Sequence, residues 1–288
     1  MARDVLAQMK EQYPSFSKGQ RAIANYIQNT FEKAAFLTAA RLGQAVGVSE
    51  STVVRFAMEL GYDGYPSMQK ELQALVLNRL TSVQRMEVAR DRLQDGDLVD
   101  TILEADMEKI RKTQEGLDRD DFQAAVSAVL QARQIYILGA RSSAPLAAFV
   151  RYYFHYMFRN VSLITAAATG EVCEQLAGVG PEDTILALSF PRYAVSTGRG
   201  ARFGRERGAV VVGITDHRES PVGQCANFVL CAKSDMISLV DSLVAPLSLI
   251  NALIVAVAAR RNRELTETLD QLERIWEQHE MYEPRDRE

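Results

Sequence analysis

The chain has 288 residues, of which 47% are hydrophobic, and a net charge of −4. Its length exceeds that of a typical single domain, so we expect two domains. The overall negative charge argues against a protein that binds nucleic acid over its whole surface. The charge is uneven, because residues 1–79 carry nine Lys/Arg and seven Asp/Glu, a net charge of +2, while the remainder carries −6.

Three features predict a cytoplasmic protein without a membrane partner. The N-terminal stretch, MARDVLAQMK, carries an acid early and lacks the apolar core of a signal peptide. The longest apolar stretch, 243–259, is interrupted by Pro246 and by polar residues, as in a buried helix. The cysteines are odd in number and scattered, which favours reduced thiols over a disulfide framework or a metal site. They are Cys173, Cys225 and Cys231.

Residues 42–56, LGQAVGVSESTVVRF, have the pattern of two helices joined by a tight turn. The apolar residues recur at helical spacing, and Gly47 stands where a helix end favours positive φ. Ser49 can then cap a second helix, predicted over 50–60. This arrangement is typical of a DNA-binding helix-turn-helix, although an ordinary helical hairpin has the same punctuation.

In the helix-turn-helix interpretation, the second helix reads DNA. Polar residues near its N-terminus remain free to enter the major groove, and basic residues elsewhere in 1–79 contact the DNA backbone. Ser17 and Thr38 are predicted to cap two earlier helices, so 1–79 is expected to form an all-helical domain. The candidate DNA-binding residues are Ser49, Glu50, Ser51, Thr52, Arg55, Lys18 and Arg41.

Residues 80–117 are charged and mostly helical in pattern, with a break at 95–97. We predict a helical linker in this region. Its modest apolar stripe, which includes Val99 and Leu103, is compatible with part of a subunit interface and equally with a solvated connector.

From about residue 118 the pattern changes to apolar strands that alternate with helices. Continuous apolar strands separated by helices are typical of a parallel sheet covered on both faces. The crossover rule makes this a doubly wound α/β sandwich over 118–262. A long helix is expected from about 236 to 261, and 263–288 form a last amphipathic helix and a tail. The five predicted strands are 133–139, 161–165, 184–190, 209–215 and 227–232.

The first candidate ligand site follows the first strand, in Gly139-Ala140-Arg141-Ser142-Ser143. A strand end followed by two hydroxyls at a helix start forms an anion cradle, because backbone N–H groups and the helix dipole favour phosphate. Simple capping by Ser142 or Ser143 is the alternative. The spacing is neither that of a Walker loop nor that of a dinucleotide fingerprint, which disfavours nucleotide binding.

Two further candidates follow the second and third strands. Ser189 ends the third strand, so its hydroxyl is expected in the ligand crevice. Arg192 could pair with a phosphate, and Tyr193 could stack on a sugar. Glu171, after the second strand, could accept sugar hydroxyls. A surface ion pair for Arg192 and a dipole-stabilising role for Glu171 are the alternatives.

Patterns for catalysis are weak. The chain has three histidines, of which His217 follows the fourth strand and could reach the site, although we expect it in an exposed loop. Neither a Ser/His/Asp order nor a metal-ligand spacing is compelling, so we expect no catalytic residue, no metal and no cofactor.

Four longer segments carry a family resemblance. The first is GVSESTVVRFAMELGYDGYPSMQKEL, and the others are IYILGARSSAPLA, TILALSFPRYAVST and GAVVVGITDHRESPVGQCA. The chain thereby resembles the RpiR-type (MurR/RpiR) bacterial transcriptional regulators, which combine a helix-turn-helix with a sugar isomerase (SIS) domain. The resemblance implies a double-stranded DNA operator and a small phosphorylated sugar as partners, in a homodimer or homotetramer.

The resemblance also assigns residues. Ser142, Ser143 and Ser189 become the phosphate-site hydroxyls, and Arg192 lines the pocket.

The chain departs from the family pattern at three positions. Ala194 replaces the serine of the "RYS" motif of many relatives, and Ser196 or Thr197 could replace its hydroxyl. Arg141 is a larger residue at the second glycine of the Gly-x-Gly-x-Ser pattern of sugar isomerases. Gly43 stands where the motif usually has alanine, a change that packing should tolerate.

Our hypothesis is a DNA-binding transcriptional regulator of sugar metabolism genes, controlled by a phosphorylated sugar or related anion. Effector binding would shift the placement of two DNA-reading domains and thereby operator affinity. One alternative is an enzyme, a sugar-phosphate isomerase with an accessory helical domain and a base such as Glu171 or His217. Another is a DNA-binding protein whose SIS domain serves only for oligomerisation.

Overall fold

The computed structural model describes residues 5–79, 98–234 and 241–282. These residues divide into two compact units, with 5–79 in the first and the remaining described residues in the second. Parts of the predicted linker, long helix and tail fall on 80–97, 235–240 and 283–288, outside the described residues.

The first unit is built from helices around one apolar core. The predicted caps are confirmed, because the side chains of Ser17, Thr38 and Ser49 each accept a backbone N–H three residues further on. Large side chains such as Ile23 and Phe56 are fully buried between the helices. The helices are α1 (Val5–Gln12), α2 (Lys18–Asn29), α3 (Phe31–Ala34), α4 (Ala39–Val46), α5 (Glu50–Glu59) and α6 (Tyr65–Arg79).

The second unit is a five-stranded sheet whose neighbouring strands are all parallel, in the order β2-β1-β3-β4-β5. The predicted doubly wound sheet and its five strands are confirmed. The strands are β1 (Ile135–Gly139), β2 (Val161–Ile164), β3 (Thr184–Leu188), β4 (Val210–Thr215) and β5 (Phe228–Cys231).

Helices cover both faces of this sheet. Phe154 and Leu253 belong to a cluster on one face, whereas Leu176 and Ala201 belong to a cluster on the other. The strand order reverses between β1 and β3, so the carboxyl ends of these strands flank the usual ligand crevice of such sheets. The helices are α7 (Leu98–Gly116), α8 (Arg119–Gln131), α9 (Ala144–Met157), α10 (Thr169–Gln175), α11 (Val195–Glu206), α12 (Val244–Arg260) and α13 (Asn262–Gln278).

Two elements differ from the sequence prediction. The long helix α12 begins at Val244, about eight residues later than predicted, with Pro246 in its first turn, where a missing N–H is tolerated. The described part of the predicted linker is α7, which belongs to the second unit, where Lys109 and Thr113 are buried.

Among the described residues, no single helix combines the length and hydropathy needed to cross a membrane. The pair α12 and α13 satisfies that test together, but the two helices are bent by 99°.

Candidate functional site

The turn between α4 and α5 has the geometry that its sequence predicts. Gly47 adopts φ 75°, and the Ser49 hydroxyl accepts the backbone N–H of Thr52 at 3.3 Å. Ser49 Oγ also lies 2.9 Å from the Ser51 hydroxyl and 2.8 Å from the Thr52 hydroxyl. Three hydroxyls therefore gather at the N-terminus of α5, where N–H groups and the helix dipole favour an anion.

The candidate DNA-binding side chains lie mainly on the surface of the first unit. Thr52 is half-buried, and the other six are exposed. Val53 and Phe56, on the opposite side of α5, are fully buried. The helix therefore holds its apolar side in the core and presents Glu50 and Arg55 to solvent.

Contacts beneath α5 hold it in place. The Phe56 ring packs edge-on against Phe16 with 5.2 Å between centroids. At the C-terminal end of the helix, the Gln20 amide donates a hydrogen bond to the carboxylate of Glu59. The outward-facing residues thus stand on a fixed support, which a recognition helix requires.

In the second unit, the two serines of the segment after β1 differ in burial. Ser143 is buried, whereas Arg141 and Ser142 are exposed. Arg141 adopts φ 56°, the left-handed conformation that glycine favours, at the position where sugar isomerases have glycine. Ser143 is the N-cap residue of α9 but makes no capping hydrogen bond with its side chain. Capping therefore does not account for this hydroxyl.

The segment after β3 brings buried hydroxyls to the N-terminus of a helix. Ser189 is 2% exposed, and within the described part of the chain its hydroxyl has no hydrogen-bond partner. Helix α11 follows, with Ala194 at the N-cap and no side-chain cap. The next two hydroxyl residues, Ser196 and Thr197, are each 2% exposed. An uncapped helix N-terminus beside buried hydroxyls suits an anion such as phosphate.

A polar network joins the segment after β3 to the end of β4. The Tyr193 hydroxyl lies 2.8 and 2.9 Å from the two carboxylate oxygens of Asp216 and 3.3 Å from His217 Nδ1. His217 Nδ1 is 2.9 Å from Asp216 Oδ2. His217 lies in the expected loop after β4, where it is half-buried and hydrogen-bonded to Asp216 and Tyr193.

The network has a rigid base and a defined electrostatic character. Thr215 donates to Asp216 at 3.1 Å, and its hydroxyl also bonds with buried Ser220 at 2.9 Å. A hydrogen bond with the Asp216 carboxylate raises the pKa of His217 above its ordinary value. Burial, and then the same carboxylate, raises the pKa of Tyr193, which therefore stays a neutral donor.

Two predicted ligand residues lie outside this network. Glu171 is exposed in the first turn of α10, after the edge strand β2, and its carboxylate accepts a hydrogen bond from Gln175 at 3.4 Å. Arg192 is exposed beside the buried Ser189 segment. Within the described ranges, His, Cys, Asp and Glu side chains form no group of three or more that could hold a metal ion.

A helix-turn-helix unit joined to a doubly wound α/β unit defines a two-domain DNA-binding protein. Two family profiles match the chain: the helix-turn-helix domain of the rpiR family at residues 3–77, and the SIS domain at residues 129–256. The chain therefore belongs to the RpiR family of transcriptional regulators.

Individual relatives agree with this assignment. The regulator HexR of Pseudomonas aeruginosa is 27% identical over 266 residues, covering 90% of each chain. The regulator RpiR of Escherichia coli is 22% identical over 222 residues, covering 75% of this chain and 73% of the relative.

Solved structures share the fold. The sugar isomerase domain of an RpiR transcription factor from Sphaerobacter thermophilus has a TM-score of 0.59 and 23% identity, over 62% of this chain and 99% of that one. The Vibrio vulnificus NanR protein, complexed with ManNAc-6P, has a TM-score of 0.57 and 20% identity, over 94% of this chain and 97% of that one.

Proposed function

We propose that the protein regulates sugar metabolism genes by binding an operator through α5 and a phosphorylated sugar through the SIS domain. The observation that carries the ligand half is the buried Ser189 hydroxyl, which has no hydrogen-bond partner among the described residues and precedes the uncapped N-terminus of α11. An unsatisfied buried hydroxyl is unfavourable in the free protein, so a bound phosphate oxygen would stabilise it.

On the DNA side, residues are assigned by exposure and position. Arg55 and Glu50 face solvent on α5 and read base edges, where arginine pairs with guanine and glutamate accepts from cytosine. Ser49, Ser51 and Thr52 meet a phosphate at the helix N-terminus. Lys18 and Arg41 contact the DNA backbone and contribute affinity without sequence information.

On the ligand side, the pocket divides into a phosphate end and a sugar end. Ser143, Ser189 and the first turn of α11 hold the phosphate, with Ser196 and Thr197 in place of the hydroxyl that Ala194 lacks. The sugar lies toward Tyr193. Arg141, Ser142, Arg192 and Glu171 border the entrance.

Operator recognition by this motif uses two copies, because half-sites lie one helical turn apart on DNA. We therefore propose a homodimer or homotetramer as the DNA-binding form. The chain belongs to a family of regulators, and we propose no isomerase activity.

The test is a DNA-binding titration of the full-length protein with the region upstream of its own gene. It is run with inorganic phosphate, glucose 6-phosphate, fructose 6-phosphate and ribose 5-phosphate, and without them. Site-specific binding that Arg55→Ala weakens and one sugar phosphate shifts supports the proposal. An affinity that no compound changes, in a protein that binds none of them by calorimetry, refutes the ligand half.

A further inference from the structure

Helix α7, the first described helix after the DNA-binding unit in the chain, packs against α12 and is also joined to the second unit by polar contacts. Its two buried residues are Lys109 and Thr113, whereas Val99, Leu103 and Met107 are each more than half exposed. Apolar packing tolerates small sliding movements, but hydrogen bonds and ion pairs are directional. The placement of α7 therefore depends in part on the groups that form hydrogen bonds and ion pairs with it.

Those groups belong to the loops beyond the carboxyl edge of the sheet. The backbone N–H of Lys233, just after β5, donates to Thr113 Oγ1 at 2.9 Å. Asp106 accepts a hydrogen bond from Ser242 at 2.6 Å and pairs with Lys109 at 3.0 Å. Ligand binding takes place at this same edge in doubly wound sheets.

Arg218 links the polar network of the pocket to the junction of α7 and α8. It is the residue after His217, and its Nη2 lies 2.8 Å from Asp118 Oδ2 and 2.7 Å from Asp121 Oδ2. Asp118 is the N-cap of α8 and lies two residues beyond the end of α7. Asp121 also accepts the backbone N–H of Val229 in β5 at 3.0 Å.

We propose that Arg218 is the positioning residue that couples the ligand pocket to α7. A ligand that reorganises Tyr193, Asp216 and His217 moves the adjacent Arg218, which shifts the junction of α7 and α8. Residues 80–97 connect the DNA-binding unit to the start of α7. The shift of the α7–α8 junction therefore alters operator affinity. This inference rests on the proposed function, because it requires both a pocket that binds an anion and a unit that binds DNA.

The coupling is separable from stability. Arg218 is half exposed, and exposed ion pairs contribute little to folding. Asp118 retains its capping bonds from the N–H groups of Asp120 and Asp121 without the arginine. Arg218→Ala is therefore expected to fold and to bind ligand and DNA separately, while losing the effect of one on the other.

The experiment is hydrogen–deuterium exchange on the full-length protein, with and without inorganic phosphate or each of the three sugar phosphates, at constant ionic strength. The compound that most protects 189–198 is then used with Arg218→Ala, Arg218→Lys and Arg111→Ala. Arg111 is a matched control, because this exposed arginine on α7 pairs only with Glu108 and Glu115 of the same helix among the contacts described.

We expect the wild-type protein to show protection at 189–198 together with changed exchange at 106–121. Arg218→Ala should keep the protection at 189–198 and lose the change at 106–121. Arg218→Lys should restore part of the change at 106–121, and Arg111→Ala should behave as wild type. The operator-affinity shift caused by the same compound should disappear in Arg218→Ala alone.

Three results would overturn the inference. The coupling is refuted if the compound protects 189–198 of the wild type but leaves exchange at 106–121 unchanged. It is also refuted if the compound protects 189–198 and still shifts the operator affinity of Arg218→Ala as it does that of the wild type. Either result leaves the proposed function standing. If none of the four compounds protects 189–198, the proposed phosphate site fails first and the inference fails with it.

Discussion

The Tyr193 hydroxyl bridges both carboxylate oxygens of Asp216, at 2.8 and 2.9 Å, and so ties the segment after β3 to the end of β4. The two residues are 23 positions apart in the chain. Because the raised pKa keeps Tyr193 neutral, its donated hydrogen bond persists across the physiological pH range. This bond also fixes the carboxylate that orients His217.

Tyr193→Phe should lower the free energy of unfolding by about 1–2 kcal/mol, because a hydrogen bond to a charged acceptor contributes about 1.5–3 kcal/mol when buried and less when partly solvated. Urea unfolding followed by circular dichroism measures this change. Tyr153→Phe, on an exposed tyrosine of α9, is the control and should remain within about 0.5 kcal/mol of wild type. Equal stabilities for the two variants would show that the bridge is not formed in solution.

His217 should give the protein a specific dependence on pH. Its pKa is raised above the unfolded value of about 6.5, so the imidazolium is favoured in the folded state. The stabilisation is complete below that unfolded pKa and is lost as the pH rises through the folded one.

The measurement is the free energy of unfolding from about pH 6 to pH 8, for wild type and for His217→Gln. The wild type should lose more stability over this range than the variant. The groups that act on His217 are Asp216, Tyr193, Glu219 and Lys233, which both proteins retain. Parallel pH profiles for the two proteins would contradict the assignment.

Local features were readable from the sequence, whereas contacts between distant segments were not. The roles of Gly47 and Ser49 are predicted by short-range rules for helix ends and caps. The five strands follow from the apolar pattern. By contrast, the half-buried environment of His217 depends on Tyr193. The two residues are 24 positions apart in the chain, and no local sequence pattern predicts a contact over that separation. The aspartate before His217, directly after a strand, was the available signal.

Ser189→Ala separates a ligand role from a structural one. The hydroxyl is buried and has no hydrogen-bond partner in the described ranges, so its removal should leave the free energy of unfolding unchanged or raise it by up to about 1 kcal/mol. Affinity for the sugar phosphate or inorganic phosphate should fall about tenfold, the equivalent of one hydrogen bond to a charged group. Calorimetric titration and thermal melting give the two numbers. A variant that is destabilised, or that binds phosphate as tightly as wild type, would argue for a structural serine.

Base-reading and backbone-contacting residues should differ in how they affect DNA binding. Arg55→Ala should weaken specific binding by about 1–3 kcal/mol and bring it closer to non-specific binding. Lys18→Ala should weaken both alike and reduce the slope of log affinity against log salt by about one unit. Lys33→Ala, an exposed lysine of α3 in the same unit, is the control. If Lys18→Ala matches Lys33→Ala at every salt concentration, Lys18 makes no phosphate contact.

Gly43 is the position where the DNA-binding motif should be most sensitive to a single methyl group. A Cβ added at residue 43 would lie 2.7 Å from the carbonyl oxygen of Val48 and 3.3 Å from the backbone carbon of Ser49. These are backbone atoms that cannot rotate away, so the turn must shift and carry the cap of α5 with it. This contact gives a physical reason for glycine at a position where the motif usually has alanine.

Gly43→Ala should therefore reduce the stability of the first unit by about 1–3 kcal/mol and weaken operator binding, while leaving phosphate binding intact. Gly116→Ala, where an added Cβ meets nothing within 4 Å at the end of α7, is the matched control and should be neutral or slightly stabilising. Thermal melting and DNA titration distinguish the two variants. A Gly43→Ala protein that binds DNA like wild type would mean that the α4–α5 turn relaxes readily and that glycine is not required there.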